Sequence, residues 1–258
     1  MPDNMDRRSP PRVHDLIAAT YDAARPIPPL LQAAISSQVC ELLPEGASRL
    51  LDVGAGTGAV RWRDGHGAGT IRLDHSSAML AQVRNPSGRV CGDAALLPFR
   101  DAAFDAVVSR HVLEGLPERA PVISEIRRVL RHGAPYLHAV TRPPAYLREI
   151  HTWWRQQTNL LRIVNGRSHG YEASASSVDL DLVLSGASIT RATTLTIPVS
   201  QPLDQVLAGY AAKAYPSCWE LEDDAHRACF EELKDWAQPR FPKSLTGHFQ
   251  TTMTAARW

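Results

Sequence analysis

Eight consecutive residues, Leu51-Asp52-Val53-Gly54-Ala55-Gly56-Thr57-Gly58, hold the sharpest chemical signal in this 258-residue chain. Glycines at 54 and 56 permit a tight turn and let backbone amides approach a ligand with no Cβ between. A short apolar run precedes them, so the turn reads as the exit of a buried strand. A helix started there would aim its positive end at the ligand. Taken alone, the signal admits two chemistries. Gly54-x-Gly56-x-x-Ala59 also satisfies a dinucleotide fingerprint, and Asp74 lies about 20 residues beyond Gly54, where a ribose-binding acid belongs.

The neighbours favour a different ligand. An acid inside the strand, Asp52, would repel a nearby pyrophosphate but suits a ligand carrying an ammonium group. Gly58 stands one place too early for the third dinucleotide glycine. Downstream, Gly92-Asp93-Ala94 closes another short strand-like run, Leu97-Pro98-Phe99 follows, and FDAVVSRHVLEGLP occupies 104–117. His111 comes directly after that run, at the end of a strand where parallel sheets bind ligands. An imidazole there can orient an acceptor or take its proton.

These groups need a frame to hold them. Apolar residues recur at helical spacing from Pro28 to Leu43, and short buried strands are expected at 48–53, 70–74, 89–93, 104–110 and 134–140. Ser76 caps a helix over 76–84, and the stripe Val122, Ile123, Ile126, Val129, Leu130 marks another, closed by His132-Gly133. Strands alternating with helices imply a mostly parallel, doubly wound α/β sheet. After Val140 the alternation breaks. Helices are expected over 143–164, 202–214 and 221–237, with strands at 188–198 and 248–258, making seven strands with helical insertions. Residues 1–12 read as a disordered tail and 13–258 as one domain, its cofactor half about 20–140 and its insertions about 143–175 and 200–247.

Composition excludes several classes. With 28 basic and 27 acidic side chains the net charge is +1, which argues against a dedicated nucleic-acid binder. No apolar run reaches the roughly 18 residues of a membrane span. Four cysteines form no CxxC pair, so reduced thiols in a cytoplasmic protein are expected. His226-x-x-Cys229 with Cys218 lacks a fourth ligand, and no metal is expected.

With its five motif segments in order, the chain resembles the class I S-adenosylmethionine-dependent methyltransferases, in a small-molecule branch similar to the ubiquinone/menaquinone methyltransferases. The resemblance covers roughly residues 20–140, with a weaker echo in the last two strands. It implies a Rossmann-like sheet with an antiparallel last strand, S-adenosylmethionine as cofactor, and methyl transfer to a small-molecule acceptor by a monomer or homodimer. It also implies roles. Gly54, Ala55, Gly56 and Gly58 pass beside the methionine part, with Asp52 near its amino group. Asp74, with His75 beside it, takes the ribose hydroxyls; Met79 covers the adenine; Asp93 and Ala94 meet its edge. Ser109 joins the cofactor set, and Tyr21, in the segment YDAARP, lies near the sulfonium, whose charge an aromatic face attracts. The aromatics Tyr146 and Trp153 of the first insertion, with Trp154 and Tyr210, would line the acceptor pocket. Arg61, Trp62 and Arg63 have no assigned role. Two rivals stay open: a nicotinamide-dependent oxidoreductase, and a protein that binds the cofactor without transferring methyl groups.

Overall fold

The computed structural model describes residues 13–60, 69–85, 87–164, 175–219 and 221–258. Two short helices, α1 (Val13–Ile17) and α2 (Tyr21–Ala24), precede α3 (Pro29–Leu42). Alternation then runs through β1 (Arg49–Val53), β2 (Gly69–Asp74), α4 (Ser77–Ala81), β3 (Arg89–Cys91), β4 (Ala106–Arg110), α5 (Ala120–Val129) and β5 (Tyr136–Arg142). It gives way to α6 (Ala145–Val164), α7 (Ala175–Leu184), β6 (Ser188–Pro202), α8 (Leu203–Ala211), α9 (Asp223–Ala237) and β7 (Ser244–Arg257).

The seven strands form one sheet in the order β3-β2-β1-β4-β5-β7-β6. All pairings from β3 to β5 are parallel, and β7 runs antiparallel to both its neighbours. Parallel strands are covered on both faces, so consecutive residues alternate between two cores. Leu51, Val53 and Val107 pack with Val122, Ile123 and Ile126 of α5 and with Val178 and Leu182 of α7. Leu50, Ala106 and Val108 pack on the other face against Leu31, Ile35 and Val39 of α3. A third core lies apart from both, where α6, α8 and α9 enclose Ile150, Trp154, Leu207, Tyr210 and Leu233.

Two expectations are corrected. Helix α5 ends at Val129, because Leu130 turns extended to bridge Phe104; Gly133 instead closes a turn in which Ala134 donates to the Arg131 carbonyl. Helix α7 was not expected, since its apolar residues alternate in ASSVDLDLVL and mask the helical pairing of Val178 with Leu182. The helix expected directly after Gly58, with Arg61, Trp62 and Arg63, and the tail 1–12 lie outside the described residues.

Candidate functional site

From β1 the sheet grows one way through β2 and β3; from β4 it grows the other way. The carboxyl ends of β1 and β4 therefore flank a crevice, the place where open parallel sheets bind ligands.

On the β1 side, the glycine turn is fastened to its neighbours through backbone. The amides of Gly54 and Ala55 both donate to the Leu73 carbonyl, at 2.8 and 3.0 Å. Gly54 has φ +70°, and a Cβ there would lie 2.2 Å from Val112 Cγ2. Gly56 has φ +55°, and a Cβ there would meet nothing within 4 Å, so its Cα faces open space. Its amide donates to Asp74 Oδ2 at 2.8 Å, while Asp74 Oδ1 accepts from the Ser76 amide at 2.9 Å. Asp74 is thus first a staple between the turn and the start of α4. A carboxylate offers about four acceptor positions, so capacity for two hydroxyls remains. His75 lies beside it, Nδ1 at 3.4 Å from Asp74 Oδ1, and meets the His14 ring edge-on.

Met79 is buried on α4, its amide capped by the Ser76 hydroxyl. Asp93 is exposed and accepts from the Ala95 amide through Oδ1; Ala94 packs partly against the first core. Asp52 is buried at the end of β1. The segment carrying Tyr21 lies over the glycine turn, because the Thr57 hydroxyl donates to Asp22 at 2.6 Å.

On the β4 side, His111 adopts φ +56°, a left-handed conformation that histidine tolerates better than most side chains. Its amide donates to the Ala139 carbonyl at 3.2 Å, and its Nε2 accepts from the Thr141 amide at 3.3 Å. The ring keeps contact with solvent, but the walls of the crevice and then the adjacent Arg110 guanidinium push its pKa down to about 3. A neutral imidazole has one lone-pair nitrogen. Here that nitrogen serves Thr141, which leaves Nδ1–H as a donor. The geometry favours the orienting half of the sequence expectation over the proton-accepting half.

Ser109 departs from its expected place. Its hydroxyl is fully enclosed, 2.7 Å from Tyr136 Oη and 3.2 Å from His138 Nδ1, with no surface left for a cofactor. His138 Nε2 in turn lies 3.3 Å from Glu114. This buried chain fixes the turn after His111 against β5.

The far wall comes from the helical half. Arg25 donates to the Tyr21 hydroxyl at 2.9 Å, and its guanidinium carbon lies 5.3 Å from the Tyr21 ring centre and 5.5 Å from that of Tyr215. His151 bonds the Tyr210 hydroxyl through Nδ1 and meets the Tyr215 ring edge-on at 4.6 Å. Burial pushes the His151 imidazole down to about 3 and the Tyr215 phenol up to about 12.

The two expected acceptor residues lie in or against the core of the helical half. Trp153 stacks on Trp236 at 5.2 Å, in the seam between α6 and α9, and Tyr146 is enclosed in the same core. Both are packing groups in this conformation, and Tyr146 shares its core with the wall residues Tyr210 and Tyr215. His226, set aside above as a metal ligand, is buried, with Nε2 2.9 Å from the Tyr210 carbonyl. Among the described residues no group of three or more His, Cys, Asp or Glu could hold a metal ion, and no helix is long and apolar enough to cross a membrane.

Residues 51–137, from β1 into β5, match the family model of the methyltransferase domain. The chain is 36% identical over 118 residues to a malonyl-acyl-carrier-protein O-methyltransferase of Erwinia pyrifoliae, covering 44% of each chain. It is 30% identical over 145 residues to the ubiquinone/menaquinone biosynthesis C-methyltransferase UbiE of Desulfotalea psychrophila, covering 52% of this chain and 58% of that one. The chain thus spans about half the length of these relatives. The fold is similar to that of a methyltransferase-like protein from Bacillus halodurans, with a TM-score of 0.57 and 18% identity over 87% of this chain and 97% of the other.

Over residues 51–137 the chain is thus similar to a methyltransferase domain, set in a sheet whose fold is similar to that of the Bacillus halodurans protein. The residues at this crevice suit an adenosyl cofactor. A buried carboxylate with spare acceptor capacity stands at the end of β2, and the only obstacle a side chain at Gly56 would present is to the open crevice. Sequence reasoning missed Arg25, Arg110, His151 and Tyr215. Arg110 was within reach, next to His111 at the end of β4; the others meet the crevice only through tertiary packing.

Proposed function

We propose that this protein catalyses methyl transfer from S-adenosylmethionine to a small-molecule acceptor bound between the β4 end and the helical half. The observation that carries the reading is the Gly54–Gly56 turn. Its amides are held by the Leu73 carbonyl and the Asp74 carboxylate, with open space above Gly56 at the switch point of the sheet. When bound, the cofactor supplies an activated methyl group on a sulfonium. The chain's own task is then alignment: Asp74, Asp93 and the glycine turn hold the adenosyl part, and Tyr21 presents a ring to the positive end. His111 donates through Nδ1–H and orients the acceptor. The two relatives are named for different acceptors, a malonyl-acyl carrier protein and a quinone precursor pathway, and neither is carried to this chain.

The test is a calorimetric titration with S-adenosylhomocysteine and, separately, with NADH. Micromolar binding of the first and none of the second supports the reading; the reverse sinks it. Transfer of isotope-labelled methyl groups to a panel of small acids, phenols and amines then identifies the acceptor.

A further inference from the structure

Several arginines elsewhere in the chain are paired with acids. Arg119 pairs with Asp181, Arg128 with Glu125 and Asp101, and Arg131 with Asp105. At the crevice the pattern fails. Arg110 makes no hydrogen bond or ion pair among the described residues, and the one side-chain hydrogen bond of Arg25 goes to a neutral phenol, Tyr21. The two guanidinium groups are within electrostatic reach of each other, and His111 and His151 lie within reach of Arg25. The acids whose charge reaches Arg110 are Asp52 and Glu114. Glu114 faces His138, and Asp22 accepts from Thr57. Like charges gathered in a half-buried cleft repel, and a guanidinium recognises planar oxyanions through paired donors.

We propose that Arg110 and Arg25 form a binding site for a carboxylate, flanked by the Tyr21 and Tyr215 rings, at the crevice between β1 and β4. The site rests on the methyltransferase reading, which puts the reacting methyl group in this crevice. The carboxylate has two possible owners, the amino-acid end of the cofactor or the acceptor. In either case the bound anion offsets the repulsion and fixes its owner relative to His111.

The experiment uses the native chain, Arg110→Gln and Arg25→Gln, each checked for an unchanged thermal midpoint. Three titrations are compared: S-adenosylhomocysteine, which carries a carboxylate; 5′-methylthioadenosine, which lacks it; and malonate added to protein saturated with S-adenosylhomocysteine, followed by NMR saturation transfer. Loss of at least about tenfold in S-adenosylhomocysteine affinity with methylthioadenosine unchanged supports the site and gives it to the cofactor. Loss of malonate binding with S-adenosylhomocysteine unchanged supports it and gives it to the acceptor. Native affinities in both variants for all three probes overturn it. A native chain that binds neither adenosyl compound overturns the methyltransferase reading, and this site with it.

Discussion

The two walls of the crevice are built by different means. The β1–β2 wall is mostly main chain: two amides on the Leu73 carbonyl, one on Asp74, and glycines where backbone must pass close. The opposing wall is side chain on side chain, with Arg25 over two tyrosines and His151 between Tyr210 and Tyr215. The first kind of wall recognises a ligand common to a large class, because amide positions survive many sequence changes. The second kind can be re-tailored one aromatic at a time. On the proposed function, specificity for the acceptor would belong to the wall that is cheaper to change.

If the walls are separable, damage to one should spare the other. Trp154 is fully enclosed, and its indole donates to the Ser217 carbonyl at 3.2 Å. Trp154→Ala should cost about 3–5 kcal/mol in urea unfolding, while S-adenosylhomocysteine affinity of the folded protein stays within about twofold. A parallel collapse of affinity would make the two halves one unit.

Within the first wall, two glycines divide the labour. Gly54→Ala must adopt a left-handed conformation and push Val112 aside, so a loss of about 2–4 kcal/mol is expected. Gly56→Ala carries only the conformational cost, about 1–2 kcal/mol, but its methyl group enters open space and should weaken S-adenosylhomocysteine binding at least about tenfold. Equal stability losses in the two variants would erase the distinction.

The second wall should respond to acid. His151 has its pKa lowered by burial to about 3, against about 6.5 in an unfolded chain. Between those values the unfolded chain binds more protons, so stability falls as pH drops from about 6.5 towards 3. His151→Phe should flatten that fall in thermal midpoints measured from pH 7.5 to 4.5; an unchanged slope would assign it to other groups.

The smallest effect concerns His111. If Nδ1–H only donates, His111→Gln should lower kcat less than about tenfold, by the same factor at every pH. A proton-accepting role predicts a loss of about 10² that shrinks at high pH.

The sheet was legible in sequence because buried parallel strands are short apolar runs and their turns carry glycine, serine and aspartate at fixed places. Ser76 as a helix cap and Asp74 at the end of β2 are examples. Gly54 and Gly56 were legible for the same reason: a positive φ restricts residue type locally. The acceptor side was not. Trp153 and Tyr146 look like pocket aromatics in sequence, and nothing local says that α6 turns them towards α8 and α9. Ser109 sits beside the crevice in sequence, but the strand's alternation points it at Tyr136 and His138. Tyr215 follows α8 by several residues and gains its meaning only from Arg25, which lies far away in the chain.

Strand β7 occupies an interior place in the sheet, between β5 and β6, though it comes last in sequence. During synthesis, β6 emerges with no strand it can join, because its partner along all of Ser188–Pro202 is β7. Until residues 244–257 leave the ribosome, the edge of β5 from Tyr136 to Arg142 is a bare row of amides and carbonyls, open to any other extended chain. The nascent protein therefore exposes an unfinished sheet after β1 to β5 have all been made, and that interval is the one in which chaperones have the most to protect.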